Sequence, residues 1–104
     1  AGWAASADIA QLPDRLAADV RTFLPAAFAM DPGAREELGR TLYAEVMEFV
    51  SPPPPPGNHP EYVLAAVVAD RRRRDLDRLM RDATLRDRLI PPDPLNAPWT
   101  GAPR

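Results

Sequence analysis

The stretch SPPPPPGNHPEYVLAAVVADRRRRDLDRLMRD, from Ser51 to Asp82, decides the fold because a proline run leads directly into a long segment of helical periodicity. Consecutive prolines favour the extended polyproline II conformation, which spans about 3 Å per residue. Gly57 then allows the chain to turn. We therefore expect a semi-rigid polyproline linker over residues 52–57 that joins two helices. A docking role, in which the prolines enter a partner's aromatic groove, is the less favoured alternative.

The segment after the linker begins with a helix-capping pattern. Asn58 has the side chain of an N-cap residue, and Glu61 three residues later completes the reciprocal capping spacing. Apolar residues then recur at steps of three and four, which predicts a helix over residues 60–82. Thr84 repeats the cap spacing with an acid three residues later, so the sequence predicts a separate short helix over residues 85–90.

The predicted helix over residues 60–82 has apolar side chains on two sides. A long stripe predicts the face that packs on the core, with Tyr62, Ala65, Ala69, Leu76, Leu79, Met80 and Ala83. Val63, Leu64 and Val67 point the opposite way, so the first two turns are apolar all round and require burial on both sides. Either the arms or the linker of this chain cover the second patch, or a second protein does.

Four arginines follow at Arg71–Arg74, and they spread over the whole circumference of the helix. Such a run does not form a single phosphate-binding face, and nearby aspartates are spaced to neutralise it. The pairs expected from this spacing are Asp70 with Arg74, Asp75 with Arg71, and Asp77 with Arg81. A solvated, charged helix is therefore favoured, contact with an acidic protein surface comes next, and contact with nucleic acid comes last.

Two further helices are predicted before the linker. Apolar residues at helical spacing predict a helix over residues 7–24. Pro13 is suited to the first turn of this helix, in which case the residues before it form a separate lead-in turn, and Pro25 ends the helix or begins a short continuation. Asp31 followed by a proline is a typical helix start, because the aspartate caps free N–H groups and proline is tolerated at the first helical position. The apolar stripe that follows predicts a helix over residues 32–50.

These elements predict an all-α protein, a small irregular bundle of three main helices and a short fourth. We expect one helical domain over residues 1–90 and an extended, proline-rich tail over residues 91–104. Trp3 and Trp99 lie in the two terminal arms. A large aromatic side chain in such an arm is expected to anchor it, either on this domain or on another chain.

The composition is that of a soluble globular domain. Hydrophobic residues make up 45% and charged residues 27% of the 104 residues. All thirteen basic residues are arginine, which is typical of a high-GC bacterial genome. The formal net charge of −2 disfavours a dedicated nucleic-acid binder. No apolar run approaches the roughly 20 residues that span a bilayer, so we expect no membrane association and a cytoplasmic location.

Residue types that carry catalysis or bind metals are scarce in this chain. There is no cysteine, and His59 is the only histidine, so no thiolate nucleophile and no zinc site of His and Cys can form. A lone histidine just before a helix more often caps it or is exposed than acts as a general base. We therefore expect no catalytic residue, cofactor or metal site, and we predict that the protein is not an enzyme.

The predicted function is that of a non-enzymatic protein–protein interaction module, either an accessory subunit of a larger complex or a self-associating helical adaptor. The partner-binding residues predicted for it are Val63, Leu64, Val67, Arg71, Arg74 and Trp99. One alternative is a small transcriptional regulator or nucleic-acid-associated protein that uses Arg71, Arg74, Arg78 and Arg81. The other is an enzyme subunit that contributes His59 or a carboxylate to a shared active site.

Overall fold

This computed structural model describes residues 2–89 of the chain. Within this range there are four α-helices and one short 3₁₀ helix. The helices are α1 (Gly2–Ser6), α2 (Asp14–Ala26), α3 (Pro32–Met47) and α4 (Pro60–Leu89), and the 3₁₀ helix (Ala27–Ala29) follows α2 directly. No strand occurs within residues 2–89, and the prediction of a small all-α bundle is confirmed. Trp99 and the predicted tail over residues 91–104 lie outside the described residues.

α2 begins at Asp14, so the helix does not extend back to residue 7 but starts with Pro13 as its N-cap, the other predicted start, and the segment between α1 and α2 is not helical. Asp8 and Ser51 form an isolated antiparallel bridge, in which their backbone N–H groups donate to each other's carbonyls at 2.7 and 3.2 Å. Pro13 precedes α2 in an extended conformation and has no N–H group. Pro25 lies in the last turn of α2, where its missing N–H removes only one helical hydrogen bond.

α3 begins where the sequence predicts and ends three residues early. The Asp31 carboxylate accepts hydrogen bonds from the N–H groups of Gly33 and Ala34 at 3.0 and 3.2 Å, as an N-cap does. At the other end, the Phe49 N–H donates to the Val46 carbonyl at 2.9 Å. This contact over three residues tightens the last turn and replaces the helical bond over four, so the α-helix does not reach residue 50.

The first residues of the chain are tied to the start of the linker. The Trp3 indole Nε1 donates a hydrogen bond to the Pro52 carbonyl at 2.8 Å, and the ring packs against the core. Trp3 therefore anchors its arm on this chain, which is one of the two outcomes expected from its position. Gly57 turns the chain at the end of the linker with a φ of 94°, a conformation that favours glycine.

α4 begins with a cap from His59 and not with the predicted pairing of Asn58 and Glu61. The His59 Nδ1 accepts a hydrogen bond from the Glu61 N–H at 3.1 Å, whereas Asn58 donates its side-chain amide to the Pro55 carbonyl at 3.2 Å. The Glu61 carboxylate accepts two 2.7 Å hydrogen bonds from Arg35 of α3. The reciprocal cap is absent because this carboxylate is bound elsewhere.

α4 is a single helix of 30 residues, so the predicted break before residue 85 is wrong. The Thr84 hydroxyl donates to the Met80 carbonyl at 2.9 Å, a bond that fits a helix interior and not an N-cap. Neither glycine nor proline occurs between Pro60 and Leu89, and Ala83 at the predicted break is a strong helix former. The helix therefore continues through this position.

The hydrophobic core lies in the first of two compact units, which extends to Arg73 within α4, and the second unit begins at Arg74. Buried apolar side chains from α2, α3, α4 and the segments beside them form the core. They are Ala7, Ile9, Leu12, Leu16, Ala17, Val20, Phe23, Ala27, Leu42, Val46, Val50, Val63, Leu64, Val67 and Val68. Each large member contributes about 1.5–3 kcal/mol through removal of its surface from water.

Candidate protein-interaction surfaces

At the start of α4, the short patch assigned to a partner surface is buried in the core, and the predicted core stripe begins with an exposed residue. Val63, Leu64 and Val67 are only 2%, 0% and 0% exposed and belong to the core, whereas Tyr62 of the predicted core stripe is 58% exposed. The chain itself covers the short patch, because these three residues belong to one buried cluster with apolar side chains of α2, α3 and the segment after α1. This corrects the assignment of these three residues to a partner surface.

The arginines assigned to a partner surface are also partly engaged within the chain. Arg71 forms an ion pair with Asp14 at the start of α2. The predicted pair of Arg71 with Asp75 is wrong, because Asp75 binds Arg78 at 3.1 Å. Arg74 is half-buried. Arg71 and Arg78, which the nucleic-acid alternative also uses, thus already have carboxylate partners.

An exposed apolar stripe runs along α4 within residues 74–89, and we call it the α4 stripe. Leu76, Leu79 and Met80 are 50%, 61% and 69% exposed, and Ala83 is exposed as well. At about 100° per residue, these four side chains lie within an arc of about 100°. Single exposed apolar residues are normal, but this spacing is typical of a helix that packs on another surface. The sequence predicted that these four residues face the core, and their exposure shows that this prediction is wrong.

Charged residues surround the α4 stripe. Residues 74–89 contain five arginines and four aspartates. The ion pair between Asp75 and Arg78 is largely exposed, so it contributes little to stability. Leu85 and Leu89 are exposed on the other side of the helix and do not belong to the stripe.

An open groove of about 520 Å³ lies between α2 and α3, and we call it the α2/α3 groove. Its lining comprises Arg15, Asp19, Thr22, Phe23, Ala26, Met30, Leu38, Thr41, Leu42 and Glu45. Phe23 and Leu42 are buried, Met30 is half-buried, and Leu38 is exposed, so apolar side chains reach from the core to the surface. The sequence did not indicate this groove, because it requires the placement of two helices side by side.

Arg35 and Glu61 form a partly buried ion pair with two 2.7 Å hydrogen bonds, and this pair joins α3 to the start of α4. The hydrogen bonds from Arg35 hold the pKa of Glu61 below its usual value, although partial burial acts in the opposite direction. The same hydrogen bonds raise the pKa of Arg35. The Arg35 guanidinium also lies 5.2 Å from the centre of the exposed Phe28 ring. Because two hydrogen bonds join Arg35 of α3 to Glu61 of α4, the pair holds the start of α4 against α3.

Within residues 2–89, no group of three or more histidine, aspartate and glutamate side chains could hold a metal ion. None of the helices in that range is long and apolar enough to cross a membrane. No protein-family model, no curated protein and no solved structure matches this chain.

Proposed function

We propose that this protein is a non-enzymatic protein–protein interaction module and that the α4 stripe is its contact surface. The supporting observation is the exposure of Leu76, Leu79, Met80 and Ala83 at positions i, i+3, i+4 and i+7 of one helix. These are the positions by which an amphipathic helix enters a groove or packs on another helix. Burial of each Leu or Met side chain contributes about 1.5–3 kcal/mol, so the stripe supplies a substantial driving force for association.

The arrangement of charges supports the same proposal. The four apolar side chains form the centre of the stripe, and Asp75 and Arg86 lie at its edge beside Leu79. Central apolar side chains carry most of the energy of an interface, whereas charges at its rim set orientation and association rate. An accessory subunit and a self-associating adaptor would both use such a surface.

The test compares the same substitution on two sides of one helix. Leu79→Asp places a carboxylate in the stripe, and Leu85→Asp places it on the other side as a matched control. We expect light scattering to give the wild-type chain a mass above the 11.4 kDa of one chain, either alone or with a stoichiometric companion from its native source. Leu79→Asp should give 11.4 kDa, and Leu85→Asp should still assemble.

A companion protein counts in favour of the proposal only if Leu79→Asp loses it and Leu85→Asp retains it. Identical behaviour of the two variants would exclude the stripe as the contact surface. A wild-type chain that remains a monomer and co-purifies with nothing in stoichiometric amount would overturn the proposal.

A further inference from the structure

We infer that the proline run Pro52–Pro56 is a second contact surface of this protein and that its partner is a protein groove lined with aromatic side chains. Grooves of this kind recognise a preformed polyproline II helix in several families of interaction domain. The inference uses no residue of the α4 stripe. It therefore adds a partner to the proposed function and stands or fails apart from it.

The sequence holds the run in the conformation that such grooves bind. The first four prolines each precede another proline, which disfavours the helical region of the backbone and favours polyproline II. The peptide bonds between consecutive prolines are trans, and the run lies outside every helix of the structure. At about 3.1 Å per residue, the five prolines form a rod about 12 Å long.

The fold fixes the run at two points. The Trp3 indole donates a hydrogen bond to the Pro52 carbonyl at 2.8 Å, and the Asn58 side-chain amide donates to the Pro55 carbonyl at 3.2 Å. A ligand that is already held in its bound conformation loses less conformational freedom on binding. Anchoring therefore favours recognition of this run over recognition of the same prolines in a free chain.

Two of the three edges of the rod are open to solvent. A polyproline II helix has three residues per turn, so residues three apart share an edge. Pro54 is half-buried, which places its edge against the rest of the chain. The other four prolines are exposed and form two open edges, Pro53 with Pro56 and Pro52 with Pro55. Prolines three apart on an open edge have the spacing of the PxxP segments that aromatic-lined grooves bind.

The polar groups of the run are hydrogen-bond acceptors only, because proline has no amide hydrogen. The contact with Trp3 shows that an indole N–H can reach and bind a carbonyl of this run. Within residues 2–89, the carbonyls of Pro53, Pro54 and Pro56 accept no hydrogen bond. Tryptophan and tyrosine side chains of a partner's groove have the donors to bind these carbonyls.

The surroundings of the run favour the same partner. Residues 50–58 contain no charged side chain, so the run offers nothing to a partner that binds through ion pairs. Tryptophan and tyrosine each combine a large apolar ring with a hydrogen-bond donor. Such rings can pack on the exposed prolines while their donors bind the carbonyls, so an aromatic-lined groove fits both features of the run.

Titration of the full-length chain with isolated SH3, WW and EVH1 domains tests the inference, because these domains carry grooves of this kind. We expect at least one of them to bind with a Kd below about 1 mM, measured by NMR chemical-shift changes. The double variant with Pro53→Ala and Pro56→Ala removes one open edge and frees the backbone. It should bind that domain more than about fivefold more weakly. Because both prolines are exposed, the variant should fold, and thermal unfolding checks this.

Two control variants test whether the run itself makes the contact. Pro32 is an exposed proline at the start of α3, outside the run, so Pro32→Ala should bind the same domain with wild-type affinity. Leu79→Asp should do so as well, because the α4 stripe takes no part. A loss in either control as large as that of the double variant would contradict the assignment of the contact to the run.

A free peptide of residues 50–58 separates the sequence of the run from its presentation by the fold. The peptide has the same prolines without the Trp3 contact, so the full chain should bind at least as tightly. A peptide that binds more tightly than the chain would show that the fold obstructs the run, and it would overturn the inference. A chain that binds none of the three domains at about 1 mM would overturn it as well. Neither result bears on the α4 stripe.

Discussion

The two parts of α4 have apolar side chains at helical spacing and yet opposite burial. Within residues 60–73, Val63, Leu64, Val67 and Val68 are buried in the core. Within residues 74–89, the large apolar side chains are all exposed. Helical periodicity identifies which side chains share a face, but the neighbouring elements decide which face is covered. The patch of Val63, Leu64 and Val67, which the sequence assigned to a partner surface, belongs to the same buried cluster as residues of α2 and α3.

The largest expected effect comes from placing the same charge in each part of α4. Val67→Asp buries a carboxylate among apolar side chains and should cost more than about 4 kcal/mol of unfolding free energy, which unfolds a small domain. Leu79→Asp replaces an exposed side chain and should change the unfolding free energy of the monomer by less than about 0.5 kcal/mol. Urea denaturation followed by circular dichroism measures both, and similar values would refute the contrast between the two parts.

Truncation of leucine gives a smaller and more quantitative version of the same contrast. Leu64→Ala removes a fully buried side chain and should cost about 2–5 kcal/mol, because it loses apolar burial and leaves a cavity. Leu76→Ala should cost less than about 0.5 kcal/mol in the monomer. Thermal unfolding at low protein concentration provides the comparison. A cost above about 2 kcal/mol for Leu76→Ala would show that its side chain is covered in the monomer.

Ion pairs in the two parts of α4 should respond differently to pH. Because Arg35 lowers the pKa of Glu61 in the folded state, this pair stabilises the fold above the ordinary glutamate pKa of 4.5. The contribution is lost as the pH falls through the lowered folded-state pKa. Glu61→Gln should therefore be less stable than the wild type at pH 7, and the difference should shrink at acidic pH.

The exposed pair of Asp75 and Arg78 provides the control for this pH experiment. Asp75→Asn should change stability little at pH 7, because an exposed pair is screened by solvent. Urea denaturation across a pH series measures both variants. A stability difference for Glu61→Gln that grows as the pH falls would contradict the role of the Arg35 contact.

The smallest expected effect concerns the continuity of α4. If Thr84 capped a separate helix, Thr84→Ala would cost about 1 kcal/mol. In the interior of one helix, the substitution should be neutral or stabilise by a few tenths of a kcal/mol, since alanine is the better helix former. Helical content from circular dichroism and the unfolding midpoint distinguish the two cases.

Local signals in the sequence predicted the helical elements, and contacts between distant residues account for the errors. The Asp31 cap and the stripe of α3 depend on neighbours in the chain, so they could be predicted. Glu61 could not be recognised as bound to Arg35, 26 residues away. The spacing of Asn58 and Glu61 therefore predicted a reciprocal cap that does not form.

The candidate surfaces show the same division between local and distant information. The spacing of Leu76, Leu79, Met80 and Ala83 was recognised, but their exposure depends on where the apolar surface of the other helices lies. The α2/α3 groove has no sequence signal, because Phe23 and Leu38 come from different helices that only the fold brings together. Composition and spacing cannot supply that information.

The bridge between Asp8 and Ser51 bears on aggregation. Paired extended backbone can template the addition of a strand from another molecule, which is how exposed sheet edges seed aggregates. On the Ser51 side, the next five residues are prolines, which have no amide hydrogen to donate. The pairing therefore stops after one residue on that side, and the linker works as a barrier to sheet growth as well as a spacer. Replacement of Pro52–Pro56 by residues with amide hydrogens would remove this protection.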